Sequence, residues 1–145
     1  MSVGVHLLGR LVRIVAGALA EADVEIVETH HRHKVDAPSG TAKRLAEIVR
    51  EARGAGAVVS AGRRGDAPGG RPAGEIGVQS VRMGEVVGDH EVHFALDHEI
   101  VTLTHRAVSR DVFAAGALAG AKFASGAAPG LYGMDAVLGI SRNDR

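Results

Sequence analysis

The segment Glu28-Thr29-His30-His31-Arg32-His33-Lys34-Val35-Asp36-Ala37-Pro38-Ser39-Gly40-Thr41-Ala42 joins the end of one element to the start of the next. Just upstream, residues 24–28 interleave apolar and charged side chains, with Val24-Glu25-Ile26 in alternation, and read as a half-buried strand, so the histidines leave a strand end. Downstream, Pro38-Ser39-Gly40-Thr41 opens a helix, with Ser39 or Thr41 as the cap and proline where no amide is needed. From Thr41 to about Ala52, the residues Ala42, Leu45, Ile48, Val49 and Ala52 mark one apolar helical face, and Arg53-Gly54 ends it. A strand therefore passes into a helix across three imidazoles and an ammonium, groups that exchange protons near neutral pH and hold anions.

Working outward, Val5, Leu8, Val12, Val15 and Leu19 recur at helical spacing and predict an opening amphipathic helix with Arg10 and Arg13 facing away. Those two arginines interrupt the apolar stretch, which argues against a secretory signal and against a membrane span. Residues 61–74 are rich in Gly and Pro and read as one long surface loop. Three β segments follow, at about 76–82, 86–96 and 99–106, with Met83-Gly84-Glu85 and Asp97-His98 as turns short enough to imply antiparallel neighbours. Ser109 is expected to cap a third helix running to about Ser125, with Val112, Phe113, Ala117, Leu118 and Ala121 turned inward. The tail, 129–140, is apolar and short. This order predicts an α+β fold: a mixed four-stranded sheet, completed by the strand at 24–28, with helices packed on one face. The other face, if apolar, is the expected oligomerisation surface.

The chain has 145 residues, 46% of them hydrophobic, enough for one core and too few for two ordinary domains. Positive and negative side chains balance at 17 each, leaving no general field toward nucleic acid or an anionic membrane, although a small anionic ligand needs only a local cluster. Cysteine is absent, which removes disulfides, thiol nucleophiles and thiolate metal sites and suits a cytoplasmic setting.

Adjacent residues leaving a strand point in opposite directions, so His30 and His31 suit different tasks, one as proton donor and one as anion contact. A purely structural role stands beside this one. Lys34 follows closely, and apposed Lys and His lower each other's proton affinity, which helps an acid give up its proton. A metal site built from His30, His33 and Asp36 is the competing chemistry, but Lys34 in its middle opposes a dication, and no metal is expected. The helix start at Gly40-Thr41 offers unpaired amides and a favourable dipole to an anion, a carboxylate being the natural guest. The phosphate-binding Gly-x4-Gly-Lys frame is missing. Arg63-Arg64 and the histidines 6, 90, 93, 98 and 105 are weaker signals; His93 and His105 are candidates to face one another across paired strands. Arg106 and Arg110 flank the third helix start and would add positive potential to a cleft.

The run from Glu28 to Ala42 closely resembles the signature of bacterial dihydrodipicolinate reductases. The similarity extends to Ser2-Val3-Gly4-Val5, the Arg63-x-Gly65 loop, Gly77 with Ser80-Val81-Arg82, Val87-Gly88-Asp89-His90, Thr104-His105-Arg106-Ala107, Ser109-Arg110 with Phe113-Ala114, and Gly130-Leu131-Tyr132-x-Met134. The resemblance implies reduction of a cyclic dicarboxylated imine by NADH or NADPH on the diaminopimelate route to lysine, in a cytoplasmic homotetramer. It implies His30 and Lys34 as the proton-donating catalytic pair, and His31, Gly40 and Thr41 as substrate contacts. It also implies that residues 1–145 are only the C-terminal substrate-binding and tetramerisation domain. The nucleotide-binding Rossmann domain, with its glycine-rich turn after the first strand, is absent from them, so this chain alone is expected neither to bind NAD(P)H nor to turn over. His6 stands where the family usually has Asn. A reading from another class is a stand-alone dicarboxylate-binding or oligomerisation module without redox activity.

Overall fold

The structure, a computed structural model, describes residues 2–54, 56–63, 65–66 and 69–140. The order is α1 (Val3–Ala18), β1 (Asp23–His30), α2 (Gly40–Arg53), β2 (Val58–Ala61), β3 (Glu75–Arg82), β4 (Gly88–Ala95), β5 (Ile100–Ala107), α3 (Asp111–Gly126) and α4 (Met134–Val137). Among the described residues the sheet has five strands in the order β2-β3-β1-β4-β5, so the fold is the expected α+β and the sheet is one strand wider than expected. The added strand, β2, was hidden because Val58 and Val59 are exposed and its four residues do not alternate, so it reads as part of the loop that follows.

The sheet is mixed because β1 lies between β3, to which it is parallel, and β4, to which it is antiparallel. The short turn at 83–85 therefore does not join neighbours, as its length suggested. It passes over the end of β1, where the Met83 amide donates to the His30 carbonyl at 2.9 Å and the Arg32 amide to the Gly84 carbonyl at 3.1 Å. Gly84 sits at φ +50°, a left-handed conformation that favours glycine and that tightens this crossing. The turn at 97–98 does join antiparallel neighbours, β4 and β5.

One face of the sheet is covered by α1 and α2, which pack on each other and bury Leu8, Val12, Leu45, Ile48 and Val49 against Val24, Ile26, Ile76, Val78, Val92 and Phe94. Both helices start on serine caps: Ser2 accepts the Val5 amide at 3.3 Å and Ser39 the Ala42 amide at 3.2 Å. Arg13 faces solvent, as the amphipathic pattern requires, whereas Arg10 turns to Asp135 at 2.8 Å. The outer face of the sheet is not apolar. The alternation of β1, β4 and β5 puts Glu25, Thr29, Glu91, His93, Thr102, Thr104 and Arg106 there.

Helix α3 departs most from expectation. The cap position is Arg110, which makes no side-chain cap bond, and Ser109 one residue upstream accepts the Asp111 amide at 3.1 Å; Phe113 and Leu118 are exposed and only Gly116 is buried, because α3 packs on α4 rather than on the sheet. The histidine pairing differs too: His105 lies opposite His90, and His93 bonds Thr102 Oγ1 at 3.0 Å. Arg63 joins Glu25 and Glu75 at the loop base, while Arg64 lies outside the described residues.

Phe94 is the largest fully buried side chain in the core. Phe94→Ala is expected to destabilise the chain by about 3 to 5 kcal/mol, measured by urea unfolding, because it opens a cavity between sheet and helices. A loss below about 1 kcal/mol would contradict this packing.

Candidate active site

The buried residues of β1 are Val24, Ile26, Glu28 and His30, so a polar pair continues the apolar row that faces the helices. Neighbouring strands supply its partners by register. The parallel pairing sets Ser80 beside Glu28 and Arg82 beside His30, and the antiparallel pairing sets His90 beside Glu28.

Glu28 has no exposure to solvent. Its Oε1 accepts from Arg82 Nη2 at 2.8 Å and from the Ser39 amide at 3.2 Å; its Oε2 accepts from Arg82 Nη1 at 3.0 Å and meets His30 Nδ1 in a short contact. Burial pushes the Glu28 carboxyl pKa up, but the bonds from Arg82, Ser80, His30 and Ser39 outweigh it and hold the group below its ordinary range. Glu28 thereby ties the strand end to the helix start. The ring of His90 packs edge-on against that of His30, with centroids 5.1 Å apart, and its Nε2 lies 3.2 Å from Ser39 Oγ. Gly88 begins β4 directly beside His30: a Cβ there would stand 3.0 Å from His30 Nε2.

Of the expected site residues, His30 is buried and His31 is half-exposed, which matches their opposed directions. His31 Nε2 lies 3.4 Å from Arg110 Nη2, so Arg110 joins this site, whereas Arg106 goes to Asp89 at 2.8 Å. Lys34 Nζ donates to Asp36 Oδ1 at 2.7 Å, and among the described residues no hydrogen bond or ion pair joins it to His30. The Asp36 carboxyl is held below its usual range, mainly by that lysine. Arg82 Nη2 also donates to the Asp36 carbonyl, which fastens the Lys34 loop to β3. Gly40 and Thr41 occupy the first two helical positions of α2, between the Ser39 amide held by Glu28 and the Ala42 amide held by Ser39 Oγ. Their amides have no intrahelical partner by helix geometry and are the ones left for an anion.

The metal alternative does not assemble as its sequence spacing suggested. His33 turns toward Glu85 at 3.6 Å, and Asp36 is paired with Lys34. Donor atoms of Glu28, His30 and His90 do lie within 4.8 Å of one another, but the Arg82 fork on both oxygens of Glu28 opposes a dication there. The sequence reading gave Glu28 and Arg82 no role in the site and ranked His90 only among the weaker signals. Glu28 carried a signal nonetheless, since it is a charged residue in phase with the buried positions of its strand.

Residues 4–138 match the family described as dihydrodipicolinate reductase, C-terminus. The chain is 55% identical over 142 residues to the 4-hydroxy-tetrahydrodipicolinate reductase of Parvibaculum lavamentivorans, covering 97% of this chain and 52% of that protein. It is 52% identical over 143 residues to the enzyme of the same name from Myxococcus xanthus, covering 98% and 53%. Among solved structures it resembles the dipicolinate-bound dihydrodipicolinate reductase of Paenisporosarcina sp. TG-14, with a TM-score of 0.64 and 30% identity over 81% of this chain and 44% of that one. The chain thus spans about half the length of the curated relatives it matches. No helix among the described residues is long and apolar enough to cross a membrane.

Two expectations follow from the buried network. Arg82→Met leaves the buried Glu28 without its guanidinium partner and is expected to cost about 3 to 5 kcal/mol in urea unfolding. Burial, and after it the neighbouring His30, push the His90 pKa down to about 4; Glu28 and Asp89 act against this, and His105 with it. The unfolded state therefore binds the proton more readily than the folded one. The stability from neutral His90 is complete above about pH 6.5 and is lost as pH falls toward 4, an effect on the order of 3 kcal/mol. Unfolding midpoints measured from pH 7 to 4.5 should fall more steeply for the native chain than for His90→Gln; parallel slopes would rule this out.

Proposed function

The chain belongs to the dihydrodipicolinate reductase family, whose C-terminal domain it carries, and from that membership we propose that it forms the substrate half of a 4-hydroxy-tetrahydrodipicolinate reductase. The observation that carries this reading is the single carboxylate, Glu28, that holds both the His30 ring and the Ser39 amide. A proton-exchanging ring and a carboxylate-binding helix start are thereby kept in fixed relation. In the proposed reaction Gly40, Thr41 and His31 hold a carboxylate of the cyclic substrate, with Arg110 reinforcing His31. His30 and Lys34 then supply the proton that the electron-rich ring needs after hydride arrives. The dipicolinate bound by the structural neighbour is a flat dicarboxylate of the kind this arrangement suits.

NADH or NADPH is the proposed hydride source, and the strand-to-helix passage at the candidate site does not fit it. The passage from β1 to α2, residues 31–39, contains no glycine and is filled with imidazoles and cations, whereas a dinucleotide cradle needs close backbone approach at a glycine-rich turn. The nucleotide-binding half therefore belongs to a part of the full-length enzyme outside residues 1–145. Two uncovered apolar surfaces support further partners: Leu7, Leu11 and Ile14 on α1, and Phe113 and Leu118 on α3. We assign them to that half, and propose a cytoplasmic homotetramer on the lysine route. The polar outer face of the sheet is the proposed contact between protomers, made through paired polar side chains rather than an apolar patch.

Calorimetric titration of the purified chain should show stoichiometric binding of pyridine-2,6-dicarboxylate and none of NADH. Thr41→Val should weaken the dicarboxylate by about tenfold, the worth of one charge-assisted hydrogen bond. Tight NADH binding by this chain would overturn the division of labour, and no dicarboxylate binding would favour a purely oligomeric module. A monomeric mass in solution would remove the tetramer.

A further inference from the structure

We infer that Glu28 is a positioning residue whose carboxylate locks the His30 ring with its proton on Nδ1, making Nε2 the atom through which His30 exchanges protons. The inference rests on the reading of His30 as proton donor and names the atom and the group that sets it.

The argument runs through donor and acceptor capacity. Arg82 Nη2 and the Ser39 amide meet Glu28 Oε1, Arg82 Nη1 and His30 Nδ1 meet its Oε2, and Ser80 adds a side-chain bond to the same carboxylate. The guanidinium and the amide can only donate, and together they favour the ionised carboxylate, which can only accept. His30 Nδ1 must then supply the hydrogen in its contact with Glu28. In a neutral imidazole that leaves Nε2 with the lone pair, and in the imidazolium it makes the Nε2 proton the mobile one. The surroundings agree. Of the His30 ring atoms, Nε2 is the nearest to where a Cβ on Gly88 would stand, at 3.0 Å, so the glycine keeps a side chain off that nitrogen. The His90 ring packs edge-on against His30 and obstructs a flip, while its own Nε2 is engaged with Ser39 Oγ and does not compete for His30. Arg82 also grips the Asp36 carbonyl, so the ion pair that fixes the His30 tautomer anchors the loop carrying Lys34. Both proposed proton donors are thus referred to one guanidinium.

A nitrogen-detected spectrum of the chain labelled with 15N-histidine, taken above the titration of His30, tests the tautomer without any substitution. The expected result is a protonated Nδ1 and a bare Nε2 for His30; a protonated Nε2 overturns the inference. In Glu28→Gln the amide oxygen is drawn to the side where Arg82 Nη2 and the Ser39 amide donate, which turns the amide NH₂ toward His30 Nδ1. That variant should gain the Nε2–H tautomer and, in enzyme carrying both halves, lose about a hundredfold in turnover. Glu28→Asp, which keeps the acceptor, should recover part of both. Retention of a pure Nδ1–H tautomer in Glu28→Gln would remove Glu28 from the positioning role. Unchanged turnover in His30→Gln, with the wild-type tautomer as expected, would instead overturn the functional reading on which the inference rests.

Discussion

A carboxylate removed from water must be compensated on every side, and in this protein that requirement organises the site. Glu28 lies in the same row as Val24 and Ile26, where the sheet would otherwise continue its apolar core. Contacts from three elements converge on it: Arg82 and Ser80 from β3, the Ser39 amide from the α2 start, and His30 from β1 itself. Removing any one leaves a buried charge poorly paired, which costs more than the pair contributes to stability. The arrangement is therefore better understood as fixing geometry than as strengthening the fold. Strand end, helix start and imidazole cannot drift apart without exposing the same ion.

How much of this was legible in the sequence follows from range of interaction. Strand β1, helix α2 and the Ser39 cap were readable because periodicity and capping are local. His30 and His31 separated as neighbouring strand positions must. What escaped was non-local. The insertion of β1 between β3 and β4 depends on pairing across dozens of residues, and the length of the 83–85 turn points to a simple hairpin instead. Arg82 and His90 owe their place in the site to that same pairing, so no motif near the histidine run could have named them. The Lys34 reading shows the converse. Proximity in sequence suggested a Lys–His couple, and a carboxylate two residues on took the lysine.

Helix α3 shows where local pattern and tertiary outcome separate for another reason. Its apolar content promised a buried face, yet Phe113 and Leu118 face outward and the sheet is already covered by α1 and α2. An amphipathic pattern states that a face is made to be covered and leaves open what covers it.

Gly88 acts on the site through the side chain it lacks. The clearance beside His30 Nε2 is set there by main chain, which no substitution can trim back. Side chains elsewhere in a pocket can be exchanged for smaller or larger ones, so most dimensions of a binding site are adjustable in both directions. This one is adjustable in one direction only: any side chain at position 88 would crowd the imidazole. The spacing between strand and ring is a property of the strand pairing itself, and a wider one requires a different sheet.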